Sequence, residues 1–550
     1  MKRRQAVAAW LIALVLTWLV GYPLLLTLLE ALGVPSAWTL EHFAEFARRS
    51  DEWRALWRSL WISAASVALA AAVGVPLAFV FERTDFPGRR LLGALVALPV
   101  ALPPLVGVIA FLFLYGESGF LTRGVAALLR LERSPWRLSG PGAILLVHAY
   151  SMYVYFYLFT RAGLARLEAS VLEAAASLGA GRLRTLWRVT LPMLGPALIG
   201  AALLTFMTSL ASFSAPYIFG GGFRVMTTQI VASKLNGEIG MAQVEAVTLA
   251  ALAFLGLWAM RRLDPGGTAV VGGVRGVAPS RRRLRRPLVR LGAAVVGWSL
   301  AILLLLPHLT LALISFVPPG TWTVEPVPPV LDGSNYGSLL AIPERLRPVL
   351  NSFWMAAAAT VGAVILGLLA ANLSVRLKGR LGGLLETLLA VPWAVPGTVF
   401  AISLATAFSV HAPELGRFVL VGTPWILPLA YLVRSLPLTG RSSLAGLRQL
   451  DPSLEEASSS LGAGRWRTFW RVTLPLLRPA VTVGASLAFI TALGDFVTSI
   501  VLYTFDTRPI SIEILSSLRL QETGVAAVYG VLLMVVSGAV FLVWGREQRI

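Results

Sequence analysis

About twelve segments of roughly 20 mainly apolar residues recur along this chain. A helix of that length crosses the hydrocarbon core of a bilayer, where a spanning segment must satisfy its backbone hydrogen bonds internally. We therefore expect an all-α, polytopic membrane protein with about 12 transmembrane helices. The segments are 6–29, 60–81, 91–115, 142–160, 197–219 and 244–260 in the first half, and 288–317, 350–374, 382–408, 422–440, 480–503 and 524–545 in the second.

The amino-acid composition supports this class. Of the 550 residues, 57% are hydrophobic and 13% are charged, whereas a soluble domain carries about 25% charged residues. The absence of cysteine excludes disulfides, thiolate metal sites and a cysteine nucleophile. Segment 6–29 follows a basic N-terminus, but it is too long for a secretory signal and lacks a small-residue cleavage site. We interpret it as a retained helix.

Basic residues set the expected orientation. With the N-terminus inside, 31 of the 47 Lys and Arg residues fall in cytoplasmic segments if Arg290, at the start of segment 288–317, is counted with them, while 15 fall outside and Arg434 lies within a span. Cytoplasmic loops hold an excess of Lys and Arg, so we expect a multi-pass protein of the cell inner membrane with both termini cytoplasmic. The net charge of +20 then reflects the basic residues of the cytoplasmic loops, and we expect membrane lipid and not nucleic acid as a partner.

Two nearly identical segments mark an internal duplication. Residues 173–192 and 456–475 agree at 16 of 20 positions. Further upstream, Pro99-x-x-x-Pro103 matches Pro392-x-x-x-Pro396. The membrane spans have diverged while these polar segments have not, which favours two equivalent docking sites for a symmetric partner over a merely recent duplication.

The duplication predicts the domain organisation. The predicted units are a first repeat at 1–262 with a repeated loop at 162–196, a Gly- and Arg-rich cytoplasmic linker at 263–287, and a second repeat at 288–550 with a repeated loop at 441–479. Each repeat has six spans, so the repeats are parallel and a translocation path lies between them. The basic cluster at 281–286 is best explained as a linker that orients the next helix, although a lipid-headgroup or nucleic-acid patch is the alternative.

The repeated loop has a readable local structure. Ser170 with Glu173 is typical of a capping box that opens a short helix, and Ser453 with Glu456 repeats it. The turn Gly179-Ala180-Gly181 should end that helix. A second helix should begin near 182 and stop near Leu191-Pro192, because proline disfavours helical geometry in the residue before it.

The repeated loops resemble the EAA loop in permease subunits of binding-protein-dependent ABC importers. The motif is Glu-Ala-Ala-x-x-x-Gly at 173–179 and Glu-Ala-Ser-x-x-x-Gly at 456–462. The resemblance implies coupling helices that sit in clefts of two ATP-binding subunits on the cytoplasmic side, and an extracytoplasmic solute-binding protein that delivers cargo. The residues expected to couple to the ATPases are Glu173, Ala174, Ala175, Gly179, Gly181, Glu456, Ala457, Ser458, Gly462 and Gly464.

The fused two-copy layout is similar to permeases of iron(III) importers and also to those for thiamine. Residues 215–224 and Gly494-Asp495-Phe496 resemble the pattern after the loop in the iron-type subfamily. The resemblance therefore implies iron(III) as cargo, with thiamine, polyamine or phosphonate as alternatives. Iron(III) prefers oxygen ligands, so a chain without cysteine suits it, although such a chain suits thiamine equally.

Enzyme chemistry is not expected of this chain. No GxxxxGK[ST] phosphate loop is present, so ATP hydrolysis should belong to another subunit. The four histidines lie in separate segments without metal-ligand spacing, and we expect no metal site and no cofactor. A duplicated secondary transporter is the main rival, but it would need ionisable residues within its spans for ion coupling and no twin loops.

A few polar residues inside spans are candidates for the translocation path. Asp495 and its counterpart Ser212 either line the path or hold helices together. Tyr150 and Tyr153 share a helical face, which a path lining and an interfacial aromatic belt explain equally well. We expect Arg434 to reach the cytoplasmic interface, without a transport role.

Overall fold

The computed structural model describes residues 2–34, 38–97, 99, 103–263, 282–283, 287–322, 325–377 and 379–547. The first repeat contains α1 (Lys2–Leu16), α2 (Tyr22–Ala31), α3 (Glu41–Arg48), α4 (Ser50–Arg83), α5 (Arg89–Ala97), α6 (Pro104–Tyr115), α7 (Phe120–Leu128), α8 (Gly140–Arg166), α9 (Ala169–Ser177), α10 (Arg182–Thr185), α11 (Leu191–Met193), α12 (Gly195–Leu210), α13 (Ser214–Phe219), α14 (Met226–Leu235) and α15 (Ile239–Leu263).

The second repeat has the corresponding order of helices. It contains α16 (Pro287–Ile314), α17 (Ser334–Ala341), α18 (Pro343–Arg376), α19 (Arg380–Ala394), α20 (Gly397–Ala407), α21 (Ile426–Gln449), α22 (Pro452–Ser460), α23 (Arg465–Thr468), α24 (Leu474–Leu493), α25 (Ser499–Leu502), α26 (Ile510–Arg519) and α27 (Thr523–Glu547). Single π-helical turns occupy Thr17–Gly21, Leu186–Thr190 and Phe469–Thr473.

The predicted all-α, polytopic fold is confirmed. Within the described ranges, nine helices are long and apolar enough to cross a membrane, and two bent helix pairs raise that number to 11. These elements overlap eleven of the predicted segments. The remaining one, 422–440, corresponds to the first part of α21, a less apolar helix that is mostly buried among other helices over 426–440. A helix enclosed by protein does not need a lipid-compatible surface, which explains its lower hydropathy.

Two predicted spans, 91–115 and 382–408, are wrong as single helices. In the second repeat, α19 and α20 meet at an angle of 110° around Pro396. In the first repeat, α5 ends at Ala97 and α6 begins directly after Pro103. The backbone at Pro103 and Pro396 is extended, with ψ of 134° and 143°. Proline also excludes the residue before it from helical geometry, as the ψ of 129° at Val395 shows.

Two further predicted spans, 197–219 and 480–503, are also interrupted. In the first repeat, α12 ends at Leu210 and α13 starts at Ser214. In the second, α24 ends at Leu493 and α25 starts at Ser499. The interruptions fall at equivalent positions of the two repeats and contain Ser212 and Asp495, so both repeats present irregular backbone at the same place.

The first helix of each repeat packs against the other repeat. The helices α1 and α2 lie against α18, α19 and α20, and α16 lies against α5 and α6. Trp18 donates its indole N–H to the carbonyl of Gly416 at 2.9 Å, and Glu30 forms an ion pair with Arg417 at 2.9 Å. On the other side, a Cβ on Gly297 of α16 would lie 2.9 Å from Leu92. The two halves are therefore interlocked by the first helix of each repeat.

The ends of the bundle are distinguished by the repeated loops. We call the end that carries α9 and α22 the loop end, and the opposite end the far end. Arg161 pairs with Glu82 at 3.3 Å, which places the end of α4 beside the end of α8 at the loop end. The start of α4 therefore lies at the far end. Most of the predicted linker lies outside the described residues, and of the 281–286 cluster only Arg282–Arg283 is described, paired in parallel with Thr84–Asp85.

Glycine allows a close helix crossing at the same position of each repeat. A Cβ on Gly74 of α4 would lie 2.3 Å from the carbonyl oxygen of Tyr153 on α8. At the equivalent position of the second repeat, a Cβ on Gly367 of α18 would lie 2.9 Å from the amide nitrogen of Gly440 on α21. Both contacts involve backbone atoms that cannot rotate away. Glycine is therefore required at both crossings.

We expect Gly74→Ala to destabilise the protein by about 1–3 kcal/mol, because the added methyl group forces α4 away from α8. Thermal unfolding of the purified protein in lipid nanodiscs measures the change. The matched control is Gly142→Ala, since a Cβ at Gly142 would meet open space. Equal melting temperatures for Gly74→Ala and the wild type would contradict the proposed crossing.

Candidate functional site

The repeated loops end their first helix in the same hydrogen-bonded turn. The amide of Gly179 donates to the carbonyl of Ala176 at 2.9 Å, and that of Ala180 donates to Ala175 at 3.0 Å. In the second repeat, the amides of Gly462 and Ala463 make the equivalent two bonds. The glycines have φ values of 74° and 80°, a region that favours glycine. The predicted glycine stop is confirmed in both loops.

The predicted capping boxes are wrong. Helix α9 begins at Ala169 without a side-chain cap, and the Ser170 hydroxyl donates to Glu168 instead. Helix α22 begins at Pro452 and is capped by Asp451, whose carboxylate accepts from the Ser453 amide at 2.9 Å. This backbone donation holds the pKa of Asp451 below its usual range. An ionised aspartate before proline is a better cap than the serine two residues later.

The second helix of the first loop ends one residue past its Leu-Pro pair, which confirms the predicted stop near Leu191-Pro192, whereas the equivalent helix of the second repeat runs on. In the first repeat the helix continues through Pro192 to Met193 before α12 departs at 65°. In the second repeat it continues through Pro475 to Leu493 without a comparable bend. In each case the proline follows a π-helical turn and occupies the first turn of the next α-helical segment, where its missing N–H costs little.

Both loops present matched exposed surfaces at the loop end. The acidic residues of the motif, Glu173 and Glu456, are exposed, as are the glycines that follow them. Leu178 and Leu461, at the ends of α9 and α22, are 87% and 89% exposed. Two further pairs of exposed large apolar side chains occupy equivalent positions of the loops, Leu183 with Trp466 and Trp187 with Trp470. Unlike Ala175, Ser458 carries a hydroxyl, which lies 2.9 Å from that of Thr468.

One contact distinguishes the two loops. Glu455 of α22 pairs with Arg376 at the end of α18 at 2.7 Å, and it also accepts from the Thr473 hydroxyl. The equivalent position in α9 is Leu172, which cannot form an ion pair. The second loop is therefore held to its repeat by a charge that the first loop lacks.

Aromatic side chains from the two repeats meet where the fifth helix of each is interrupted. Phe213 and Phe496 occupy equivalent positions, and their ring centroids are 5.4 Å apart. Tyr217 packs against both, at 5.0 and 5.8 Å. Phe213 and Phe496 are 1% and 2% exposed, so the two halves are in closed contact where these rings meet. We call Phe213, Tyr217 and Phe496 the central junction.

Arg434 forms an ion pair with Asp495 beside the central junction, which corrects our expectation that it reaches the cytoplasmic interface. The other oxygen of the Asp495 carboxylate accepts from the amides of Thr498 and Ser499, at 2.9 and 3.3 Å. Asp495 therefore satisfies the start of α25 and ties it to α21. A Cβ on Gly397, the first residue of α20, would lie 2.9 Å from the Arg434 guanidinium.

In the first repeat, the corresponding contact between a helix and the interruption is made by neutral groups. His148 of α8 contacts the Ser212 hydroxyl through Nε2 at 2.9 Å. Its Nδ1 lies 2.8 Å from the hydroxyl of Ser66 and 3.2 Å from that of Ser209. His148 is 1% exposed, so all of its polar contacts are to protein. In the first repeat a neutral hydrogen-bonded cluster thus joins α8 to the interruption after α12. In the second repeat an ion pair joins α21 to the equivalent interruption after α24.

The two tyrosines proposed for the path lie apart from the central junction. The Tyr150 hydroxyl donates to the carbonyl of Leu304 on α16 at 2.6 Å and lies 3.1 Å from Nδ1 of His308. Tyr153 is 1% exposed, and its hydroxyl donates to the carbonyl of Val96 on α5. Both side chains thus join α8 to neighbouring helices, and Tyr150 does so across the two repeats.

Phe213 and Phe496 were not predicted from the sequence as meeting points of the repeats. The spacing between the two copies of the repeated loop already aligned them, beside the aligned pair Ser212 and Asp495. That alignment marks them as equivalent but does not show that they touch. Among the residues that the structure describes, no group of three His, Asp or Glu side chains is placed to hold a metal ion.

Residues 73–267 and 363–546 each match the family described as "Binding-protein-dependent transport system inner membrane component". The chain belongs to this family. The two matches fall in the two repeats, so the predicted duplication and the resemblance to ABC importer permeases are confirmed. Members of this family are multi-pass proteins of the inner membrane.

Several relatives align over most of the chain. "Probable ABC transporter permease protein y4fN" of Sinorhizobium fredii is 30% identical over 99% of this chain and 97% of its own length. "Fe(3+)-transport system permease protein FbpB 2" of Haemophilus influenzae is 25% identical over 96% of each chain. "Ferric transport system permease protein FbpB" of Actinobacillus pleuropneumoniae is 28% identical over 84% of this chain and 66% of its own length.

Among solved structures, a bacterial alginate ABC transporter in complex with alginate pentasaccharide-bound periplasmic protein is similar to this chain. The alignment covers 48% of this chain and 93% of that chain, with 18% sequence identity and a TM-score of 0.37.

We expect Asp495→Asn to lower the thermal stability of the permease, because it leaves Arg434 without its counter-charge and weakens the cap of α25. Breaking a buried pair costs about 3–5 kcal/mol, and partial exposure of Arg434 makes this an upper bound. The double variant Asp495→Asn/Arg434→Gln should recover much of the loss, since no charge is left unpaired. A double variant no more stable than Asp495→Asn alone would contradict this account.

Proposed function

We propose that this permease forms the translocation path for iron(III), which an extracytoplasmic solute-binding protein delivers and two ATP-binding subunits drive across the membrane. In this proposal both termini are cytoplasmic, the loop end faces the cytoplasm and the far end faces outward. ATP hydrolysis belongs to the partner subunits. The observation that carries the proposal is the pair of matched, exposed loops on a duplicated permease whose halves meet at a closed aromatic contact.

The names of the relatives support iron(III) as cargo. Relatives named as ferric or Fe(3+) permeases align with 84% and 96% of this chain, across both repeats. Molybdenum permeases also match, but the "Molybdenum transport system permease protein ModB" of Escherichia coli aligns with only 36% of this chain. Similarity across both repeats includes the contacts between the halves, where a path lies. We therefore place iron(III) ahead of molybdate, thiamine, polyamines and phosphonates.

The loops supply the proposed coupling surface. Each offers one exposed glutamate, three exposed large apolar side chains at matched positions and a glycine turn at the loop end. Large apolar side chains exposed at equivalent positions favour a partner that itself has two equivalent clefts. Two copies of one ATP-binding subunit satisfy that requirement.

The central junction is the proposed gate between the halves. Phe213 directly precedes α13 and Phe496 lies three residues before the start of α25, and both helices are short and follow an interruption. A movement of either segment separates the rings without unwinding a long helix. The ties His148–Ser212 and Arg434–Asp495 connect each interruption to the helix that leads directly to a loop, α8 or α21. We propose that loop movement reaches the gate through these two helices.

The far end offers the proposed docking face for the binding protein. The guanidinium of Arg123 lies over the Trp322 ring at 4.3 Å, and Phe120 packs against the same ring at 6.4 Å. These contacts join the connection at 116–141 to that at 318–349, across the two repeats. Together with 30–59, 220–243 and 504–523, they form the proposed outer surface of the permease.

We expect the double variant Glu173→Arg/Glu456→Arg to release the ATP-binding subunits, because both exposed carboxylates reverse their charge at the proposed interface. Co-purification of the ATP-binding subunit with the permease and iron uptake by cells measure the effect. Glu132→Arg, an equally exposed reversal at the far end, is the matched control and should keep the ATP-binding subunit bound. Normal co-purification and uptake for the double variant would refute the coupling role.

The cargo is tested on the cognate solute-binding protein, because importers of this kind receive cargo from a carrier. Isothermal titration of the isolated carrier with iron(III), molybdate and thiamine should show tight binding of iron(III) alone. Tight binding of thiamine or molybdate without iron(III) would overturn the cargo and leave the permease assignment intact.

A further inference from the structure

Two glutamates that no part of the proposed transport cycle uses are buried together at the far end of the first repeat. Glu52 stands in the first turn of α4, and Glu245 stands in the second turn of α15. Both are 0% exposed. Their carboxyl groups lie within hydrogen-bonding contact of each other. Two carboxylates in contact and away from water repel each other strongly if both are ionised.

Each carboxyl group has one oxygen with a donor and one without. Gln229 donates its side-chain N–H to Oε1 of Glu52 at 2.9 Å, and the Ser233 hydroxyl donates to Oε1 of Glu245 at 2.6 Å. The remaining oxygens, Oε2 of Glu52 and Oε2 of Glu245, are buried and receive no hydrogen bond from the described residues. One proton between the two groups would turn this repulsion into a hydrogen bond and satisfy both oxygens.

The second repeat shows what the same position looks like without an acid pair. The repeats align here through identical hydrogen bonds, from the amide of Met226 to the Ser59 hydroxyl and from that of Ile510 to the Ser352 hydroxyl. In this alignment Arg345 replaces Glu52 and Tyr529 replaces Glu245. Their contacts are made without an acid pair: Arg345 pairs with Glu522 at 2.9 Å, and the Tyr529 hydroxyl donates to the Arg345 carbonyl at 2.6 Å.

The charged groups around the acid pair do not neutralise it. Arg49, a cation close enough to act on Glu52, forms ion pairs with Glu45 and Glu238, at 2.5 and 2.7 Å. Lys234 on α14 donates to the carbonyl of Val501 in the second repeat. The other titratable groups nearby are Asp51 beside Glu52 and His42, which packs on Gly240 at the start of α15. The pair is thus left with like charges and no free cation among the described neighbours.

We infer that Glu52 and Glu245 form a proton-binding site that holds one proton between their carboxyl groups and thereby joins α4 to α15. The inference does not depend on the cargo or on the partner subunits. It also links the proton to the contact between the halves. The same helix, α14, carries the two donors to the acid pair and, at Lys234, the bond to Val501 of the second repeat. Loss of the proton separates α4 from α15 and weakens the packing of α14 against both helices.

The sign of the pH dependence follows from the location of the proton. The folded protein keeps a proton that two exposed glutamates of the unfolded chain release at neutral pH. Because the folded state binds more protons, its stability falls as the pH rises. Burial lowers the pKa of Lys234 to about 8, so this lysine titrates in the same range and must be separated from the pair by comparison of variants.

Glu245→Gln is the decisive variant. A glutamine amide keeps the bond from Ser233 and donates permanently to Glu52, which mimics the protonated pair at every pH. We expect the melting temperature of the full-length permease in nanodiscs to fall between about pH 6 and pH 9 in the wild type, and to fall much less in Glu245→Gln. Lys234 titrates in both proteins and cancels in the comparison. Equal pH dependence of the two proteins would overturn the inference.

Tyr529→Phe, at the equivalent position of the second repeat, is the matched control. It removes one hydrogen bond and should lower the melting temperature by the same amount at each pH.

Replacement of sodium by choline tests for a bound metal cation in place of the proton. A wild-type melting temperature that depends on sodium and not on pH would also overturn the proton assignment. Infrared spectroscopy of the wild type should show the carbonyl band of a protonated carboxylic acid that Glu52→Gln lacks. Absence of that band from the wild type would be decisive against the site even if Glu245→Gln failed to fold.

Discussion

Backbone amides and carbonyls have no water to bond within a bilayer, so each interruption of a helix at that depth must supply its own partners. This constraint governs the centre of the permease. Proline at 103 and 396 removes one donor at each break between the halves of the third span. Asp495 accepts from two amides at the start of α25, and the Thr227 hydroxyl donates to the carbonyl of Ser212. Asp495 and Thr227 therefore provide hydrogen-bond partners for backbone groups that the interrupted helices leave unpaired.

The interruptions also determine where the two halves touch. Helix α12 and its counterpart α24 both end before reaching the far end, and the short segments that follow turn the phenylalanines toward each other. Gly494 allows the closest approach, since a Cβ there would lie 2.4 Å from Pro103 of the first repeat. A broken helix of one half therefore packs against the break in another helix of the other half.

The two repeats share a backbone plan and differ in their polar chemistry. Equivalent helices are tied by His148–Ser212 in one repeat and by Arg434–Asp495 in the other. Equivalent positions at the far end carry an acid pair in the first repeat and Arg345 with Tyr529 in the second. Packing between helices is preserved by small residues such as Gly74 and Gly367, whereas a buried charge can change if its partner changes with it. The halves are therefore alike in shape and unequal in electrostatics.

The sequence alone determined the membrane class, the duplication and the repeated loops, because hydropathy, glycine turns and near-identity over 20 residues are local properties that need no knowledge of neighbours. It did not determine that four predicted spans are interrupted, because an apolar run looks the same whether it is straight or broken. It also assigned Arg434 to an interface and passed over Glu52 and Glu245. Only the tertiary structure decided these points, since the partner of a buried charge is chosen by helix packing, which brings together residues as far apart in the chain as Glu52 and Glu245.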